Sequence, residues 1–144
     1  MSSLGSRTLM AVLCNFALVA CTPPAGPEEE TAEGPEALSR TEFTDRIENF
    51  FEYDPLVAGE PSQFLIHLTD LSDGSPISQA EVDLSVTTRG TGMEVASTRA
   101  LVGRVTGIYV AELTVPEPGT YDIRFDVRAG AIDESMPLGG FEVR

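Results

Sequence analysis

The chain has 144 residues and is strongly acidic, with 23 Asp and Glu against 9 basic residues and a formal net charge of −14. A chain with this charge does not bind nucleic acid or anionic lipid headgroups through its general field. With one His, two Cys and no Trp, it offers neither the Cys/His spacings of zinc sites nor the context of a Ser-His-Asp triad, so we expect a protein that is not an enzyme and has no cofactor.

Residues 1–20 have the pattern of an export signal. Arg7 supplies a positive charge, and residues 9–20 form an apolar run that only Asn15 interrupts. A membrane-spanning helix needs about 18 to 20 apolar residues, so this shorter run is typical of a signal peptide. The run ends in Leu-Val-Ala-Cys at residues 18–21, which resembles the lipobox of bacterial lipoproteins. The resemblance implies that Cys21 carries a lipid and becomes the first residue of the mature protein.

The alternative for this segment is an ordinary secretory signal with a chance Cys at position 21. Thr22, in place of Asp, follows the Cys; resemblance to sorted lipoproteins then implies an outer-membrane protein that faces the periplasm. Cys14 lies inside the signal, so we expect no internal disulfide in the mature protein. We expect its contact with the membrane to be made by the lipid alone.

Residues 21–40 differ in composition from all that follows. After Cys21 they are rich in Pro and Glu and contain almost nothing to bury, so they cannot offset the entropy of ordering and are predicted to form a disordered linker. Residues 41–144 then have the length of one domain with its own core.

Within residues 41–144 the pattern is one of strands and turns. Phe64, Ile66 and Leu68 alternate with Leu65 and His67, so the two sets lie on opposite faces of a strand and the first set is expected to face a core. About seven such segments at spacings of about ten residues predict an all-β, immunoglobulin-like sandwich of antiparallel strands. The predicted strands are 47–53, 63–71, 80–88, 93–101, 107–115, 120–128 and 137–144.

Two tyrosines stand two residues after a Gly, namely Tyr109 and Tyr121. Tyr residues in strands with apolar neighbours usually belong to the core and have a satisfied hydroxyl. Tyr121 lies at the start of the penultimate predicted strand and suits the tyrosine corner of immunoglobulin-like sandwiches, in which the hydroxyl bonds the backbone of the adjoining loop. The functional alternative is a pair of Tyr side chains that forms a ligand platform.

The stretch 51–73 is also similar to a known family. The order Phe-Glu-Tyr at 51–53, Pro-Leu-Val-Ala-Gly-Glu at 55–60 and His-Leu-Thr-Asp-Leu-Ser-Asp at 67–73 resembles the N-terminal immunoglobulin-like domain of periplasmic adaptor subunits of RND-type efflux pumps, the membrane fusion protein family. The resemblance implies an envelope module linked to export. Those adaptors continue into a lipoyl-like domain and a helical hairpin, which do not follow in this sequence, so we expect an accessory role in place of full adaptor function.

The resembling segments 55–60 and 69–73 flank the central strand, and two interpretations compete for them. They either set turn geometry through Gly, Pro and Asp, or form a surface for another envelope protein with exposed apolar anchors and acidic residues that fix the register. Under the second interpretation the partner-binding residues are Leu56, Val57, Asp70 and Asp73.

The function expected from these observations is that of a lipid-anchored envelope binding module, accessory to an efflux system. The alternative is a periplasmic lipoprotein that carries copper-like ions with His67 and Met side chains. Met93 and Met136 lie far apart in the sequence, and no motif specifies a soft-metal site. We therefore assign no metal ligand, and His67 is a candidate only under this alternative.

Overall fold

Nine β-strands make up the part of the chain that the computed structural model describes, residues 36–144. The predicted signal peptide, Cys21 and most of the predicted linker lie outside these residues. No helix in the described part is long and apolar enough to cross a membrane. The strands are β1 Leu38–Phe43, β2 Ile47–Tyr53, β3 Pro61–Asp70, β4 Glu81–Thr88, β5 Glu94–Arg99, β6 Leu101–Val102, β7 Ile108–Thr114, β8 Gly119–Ala129 and β9 Ile132–Val143.

The strands form two antiparallel sheets. Sheet A has the order β1-β2-β3-β7-β6, and sheet B has the order β5-β4-β8-β9. Each sheet turns one face towards the other and the second face outwards, as in immunoglobulin-like domains. The predicted fold class is confirmed, with nine strands in residues 36–144 where the sequence pattern predicted about seven.

The core lies between the sheets and contains four Phe side chains. Phe51 and Phe64 come from sheet A and Phe125 and Phe141 from sheet B. The ring of Phe51 lies 4.8 Å from that of Phe125 and 6.4 Å from that of Phe141, between centroids. Phe64 and Ile66 are fully buried, and Leu68 nearly so, which confirms the buried face predicted for β3.

The first strand begins within the predicted linker. β1 starts at Leu38 and pairs with β2 along its whole length, so the predicted boundary after residue 40 falls inside a strand. Arg40 reaches from β1 to sheet B, where its guanidinium donates to the carbonyl of Gly139 at 3.0 Å. The same group lies 4.9 Å from the ring centroid of Phe141, so one side chain bridges this side of the sandwich.

The opposite side of the sandwich is closed by a strand that changes sheets. The sequence predicted one strand over 93–101, but the chain forms β5 in sheet B and then β6 in sheet A. Ala100, between them, is buried and donates its N–H to the carbonyl of Val82 at 2.8 Å. The change of partner at Ala100 is what divides the predicted strand.

The last strand is longer than predicted because it tolerates Pro137. β9 is the edge strand of sheet B and starts at Ile132. Pro cannot donate to a ladder, so it is accepted at a sheet edge. The register with β8 shifts between Tyr121 and Ile123, which is a local irregularity opposite the Gly-Gly pair 139–140.

The hydroxyls of Tyr109 and Tyr121 both have hydrogen-bond partners inside the fold. The Tyr109 hydroxyl accepts the N–H of Ala80 and donates to the carbonyl of Ile77, each at 2.8 Å. The Tyr121 hydroxyl donates to the carbonyl of Glu117 at 2.9 Å, which is the tyrosine corner predicted for this residue. These contacts support the structural interpretation of both residues.

Candidate interaction surface

Leu56, predicted to be an exposed apolar anchor, is buried with 3% of its surface exposed. Its carbonyl accepts the N–H of Arg144 at 3.0 Å, and the N–H of Ala58 donates to the carbonyl of Arg144 at 2.8 Å. This pairing with the distant end of the chain fixes the loop so that Leu56 joins the core. The prediction that Leu56 is an exposed anchor is wrong, because the hydrogen bonds between its loop and Arg144 hold the side chain in the core.

Val57 is exposed, but only to 37%. Its carbonyl accepts the N–H of Glu60 at 3.1 Å, and the N–H of Gly59 donates to the carbonyl of Val115 at 2.8 Å. Gly59 has a φ of +76°, a conformation that favours Gly. The segment around Val57 is therefore a tightly bonded turn.

Asp70 and Asp73 bond the backbone of their own loop. The Asp70 carboxylate accepts the N–H of Ser72 at 2.8 Å, and that of Asp73 accepts the N–H of Ser75 at 2.9 Å. The hydrogen bonds from Ser72 hold the pKa of Asp70 below its ordinary value. These contacts are what the geometric interpretation of the loop requires.

The four predicted partner-binding residues are not brought together. Val57 precedes β3, whereas Asp70 and Asp73 lie at and beyond its far end. A strand of this length spans about 30 Å at about 3.3 Å per residue. Val57 and the two carboxylates therefore lie at opposite ends of the sandwich.

A different surface emerges on the outer face of sheet A. Cross-strand pairs place Phe50 opposite His67 and His67 opposite Ile108. The neighbouring row joins Leu65 to Val110 and Val110 to Leu101. Directly opposite residues share a face, so these rows form one continuous surface, which we call the apolar face. Its members are Phe50, Leu65, His67, Leu101, Ile108 and Val110.

Every member of the apolar face keeps part of its surface exposed. Leu101 is 74% exposed. Isolated exposed apolar residues are common, but a contiguous set on one sheet face is typical of an interaction site. The sequence pattern placed Leu65 and His67 on this face of β3; it could not supply their neighbours on β2, β6 and β7.

His67 lies in the middle of the apolar face. The centroid of its ring is 5.2 Å from that of Phe50, and its Nε2 atom is buried without a hydrogen-bond partner among the described residues. Within residues 36–144, no three His, Cys, Asp or Glu side chains come together in a group that could hold a metal ion. Met136 is in the core on sheet B and does not share a face with His67.

Carboxylates border the apolar face. Glu52 lies opposite Leu65, Glu48 lies opposite both Phe43 and Thr69, and Glu112 lies opposite Gln63. In the described part of the chain, none of these three Glu residues has a salt-bridge partner. The border therefore carries negative charge that the described residues do not neutralise.

A shallow depression of about 170 Å³ opens at one end of the apolar face. Leu65 and Tyr53 supply apolar walls, and Glu52 and Asp54 supply carboxylates. The Asp54 carboxylate also accepts the N–H of Gln63 at 3.4 Å. Burial raises the pKa of the Tyr53 hydroxyl, against the lowering effect of Arg40.

The outer face of sheet B is chemically different, because its charges pair with one another. Asp83 accepts hydrogen bonds from Arg99 at 2.7 Å and from Arg128 at 2.7 Å. Arg124 donates to Asp126 at 3.0 Å on the same sheet. The hydrogen bond from Arg99, aided by that from Arg128, holds the pKa of Asp83 below its ordinary value, although partial burial opposes this. Most charged side chains in the centre of this face are therefore paired with one another.

Comparison with solved structures and curated proteins adds little about function. A structure described as the ZirS C-terminal domain is similar with a TM-score of 0.44 and 16% identity, over 100% of this chain and 87% of that chain. A similarity at this level carries no functional argument. No curated protein matches the chain.

Comparison with protein families gives a more definite result. The model of a family described as YtkA-like matches residues 44–126, which is more than half of the chain and runs from the β1–β2 turn into β8. The matched family is not the efflux-adaptor family that segment 51–73 resembles, so that resemblance stays a prediction. The chain belongs to the YtkA-like family.

Proposed function

We propose that the protein is a lipid-anchored binding module of the bacterial cell envelope, accessory to an efflux-type system, and that it binds its partner through the apolar face. The observation that carries the proposal is the contrast between the two outer faces. The apolar face is contiguous and partly exposed, whereas the outer face of sheet B pairs its own charges. A module that works by binding needs one such surface.

The envelope part of the proposal is supported by the sequence. The lipobox-like end of the signal segment, with Cys21, favours a lipid anchor, and Thr22 favours the outer membrane. The stretch 51–73, which resembles efflux adaptors, covers the last three residues of β2 and all of β3. These two strands supply Phe50, Leu65 and His67 to the apolar face.

Copper transport is not proposed as a second function, because no observation favours it. His67 is surrounded by apolar neighbours on its face, and Met93 is in the turn between β4 and β5. Soft-metal binding needs several convergent N or S ligands, and no group of three His, Cys, Asp or Glu side chains that could hold a metal occurs among residues 36–144.

Site-specific photo-crosslinking of the full chain in its native cells tests the proposal. A crosslinking amino acid at Val110 samples the apolar face, and one at Ser97 on β5 samples the outer face of sheet B as a matched control. We expect a crosslinked envelope protein at Val110 and none at Ser97. Identification of an efflux component in that product would support the accessory role.

Two results would contradict this function. Equal products at Val110 and Ser97 would show that the apolar face is not the binding surface. Absence of any product at Val110, together with copper binding by the full chain that is lost in His67→Ala, would replace the proposal by the metal-carrier alternative.

A further inference from the structure

We infer that the apolar face takes an apolar segment of another protein that carries basic residues beside its apolar core. This inference rests on the proposed binding function and specifies the chemistry of the partner. It follows from the composition of the apolar face and of the charged border around it.

Three carboxylates, unpaired in the described part of the chain, lie along the border. Glu48, Glu52 and Glu112 flank the apolar rows, and none has a salt bridge within the described residues. A partner that covers the apolar rows must approach these carboxylates. Acidic flanks on that partner would be repelled, and basic flanks would gain attraction and a fixed register.

The depression at the end of the apolar face is a place where a basic side chain of the partner could bind. Its walls combine Leu65 with the carboxyl-bearing side chains of Glu52 and Asp54. Arg and Lys side chains have an apolar stem and a cationic end, so the stem can pack on Leu65 while the end meets a carboxylate. A basic side chain next to the apolar core of the partner fits this arrangement.

Other occupants are less compatible with the charges. A second copy of the chain would bring the same acidic border against itself, and each copy has a formal net charge of −14. The chain's own segment 22–35 is rich in Glu and contains no basic residue, so it would meet the same repulsion. The charge pattern therefore favours a different, basic protein segment.

Synthetic peptides provide the direct test. Three peptides share one Val/Leu core and differ in their flanks, which are Arg, Ser or Glu. Binding to the full chain is followed through the imidazole NMR signals of His67, which is the sole His of the protein and lies inside the apolar face. We expect the Arg-flanked peptide to bind about tenfold more tightly than the Ser-flanked peptide, and we expect this difference in affinity to shrink in high salt. The Glu-flanked peptide should not bind.

Variants in which Gln replaces Glu identify the carboxylates that attract the Arg-flanked peptide. The double variant Glu52→Gln, Glu112→Gln should lower the affinity of the Arg-flanked peptide to that of the Ser-flanked peptide. The matched control Glu81→Gln, Glu94→Gln changes two exposed carboxylates on strands of sheet B and should leave the affinity unchanged. Leu65→Ser should abolish binding of the Arg-flanked and the Ser-flanked peptides.

Several outcomes would overturn the inference. Equal affinity of the three peptides, or no binding by any of them, would refute it. Dimers of the full chain that Leu65→Ser dissociates would assign the apolar face to a second copy. Crosslinking at Val110 that persists in the Glu52→Gln, Glu112→Gln variant would retain the proposed function and refute the basic partner. Absence of a crosslinked product at Val110 when Glu52 and Glu112 are both intact would refute the function itself.

Discussion

The hydroxyl of Tyr109 joins two backbone groups that no strand ladder satisfies. It accepts the N–H of Ala80 and donates to the carbonyl of Ile77, in a fully buried position. Tyr109→Phe leaves both backbone groups without this partner, so we expect it to lower the free energy of unfolding by about 1 to 3 kcal/mol. Chemical denaturation of the full chain measures the change.

Tyr121→Phe is the matched control for that measurement. The Tyr121 hydroxyl makes one bond, to the carbonyl of Glu117, in a partly buried position. Its loss should cost less, below about 1.5 kcal/mol. A larger loss at Tyr121 than at Tyr109 would show that the tyrosine corner contributes more than the buried bridge.

Single residues also show where prediction from sequence stops. Phe64, Ile66 and Leu68 could be predicted as buried, because alternation within one strand decides which face they share. Leu56 could not, since its burial depends on hydrogen bonds between its loop and Arg144. Contacts between residues so distant along the chain leave no local pattern.

Among the connections between strands, the turn at Gly107 is the most constrained. Gly107 has a φ of +80°, and a Cβ there would lie 2.5 Å from the Cβ of Pro76 and 3.2 Å from the carbonyl oxygen of Leu68. Gly107→Ala adds backbone strain of about 1 to 2 kcal/mol and an overpacking cost of about 1 to 3 kcal/mol. Thermal or chemical denaturation should show the sum as a lower stability.

Gly74→Ala separates the two contributions. Gly74 has a φ of +73°, but a Cβ there would meet nothing within 4 Å. This variant should show only the strain, about 1 to 2 kcal/mol. Equal losses for Gly74→Ala and Gly107→Ala would mean that the loop containing Pro76 moves aside without cost.

The charged ladder on sheet B predicts a pH effect. The pKa of Asp83 lies below its ordinary value in the folded protein, chiefly because of the hydrogen bond from Arg99. A lowered folded pKa stabilises the fold above the unfolded pKa of about 4, and this contribution disappears as the pH falls through the folded pKa. We therefore expect Asp83→Asn to be less stable than the unmodified protein at pH 7 and to lose less stability on acidification.

Denaturation curves between neutral pH and pH 2 measure this effect. Glu94→Gln is the control, because Glu94 is exposed and has no ion pair among the described residues. Its stability should follow that of the unmodified protein. Parallel pH curves for Asp83→Asn and the unmodified protein would show that the ion pairs of Asp83 contribute nothing to stability.

The bounds of most strands can be predicted from the alternation of apolar residues in the sequence. The other strands form only because of their pairing with neighbouring strands. β2, β4 and β8 were predicted within a residue of their ends, because each places buried apolar side chains at alternate positions. β1 has no buried side chain, so its sequence carries no alternation that predicts a strand. β6 exists only because the chain leaves sheet B at Ala100, and a change of partner is invisible to periodicity.

For the molecule as a whole, the candidate surface was predictable only in part. The sequence indicated that Leu65 and His67 share a face of β3, but their neighbours Phe50, Val110 and Leu101 come from strands that are distant in the sequence. The register between strands creates the apolar face. Register depends on the combined packing of all strands and is not encoded in any one of them.

The proposed lipid anchor can be tested on the full chain. Cys21→Ser removes the thiol that the lipobox-like motif proposes for lipidation, so the full chain should no longer incorporate labelled fatty acid or sediment with membranes. Cys14→Ser is the control, because Cys14 lies inside the predicted signal and should have no effect on labelling. Unchanged membrane fractionation of the Cys21→Ser protein would refute the lipid anchor.

The chain passes directly from β5 in sheet B to β6 in sheet A, so we expect the opening of one sheet edge to affect the other. Ala100 is bonded to Val82 in sheet B, and the next two residues pair with β7 in sheet A. If β5 peels away from β4, the same covalent segment pulls on β6, so the edges of both sheets should fray as one cooperative unit. Amide hydrogens of Ala100 and Gly103, each bonded to a different sheet, should then exchange with solvent deuterium at a shared rate.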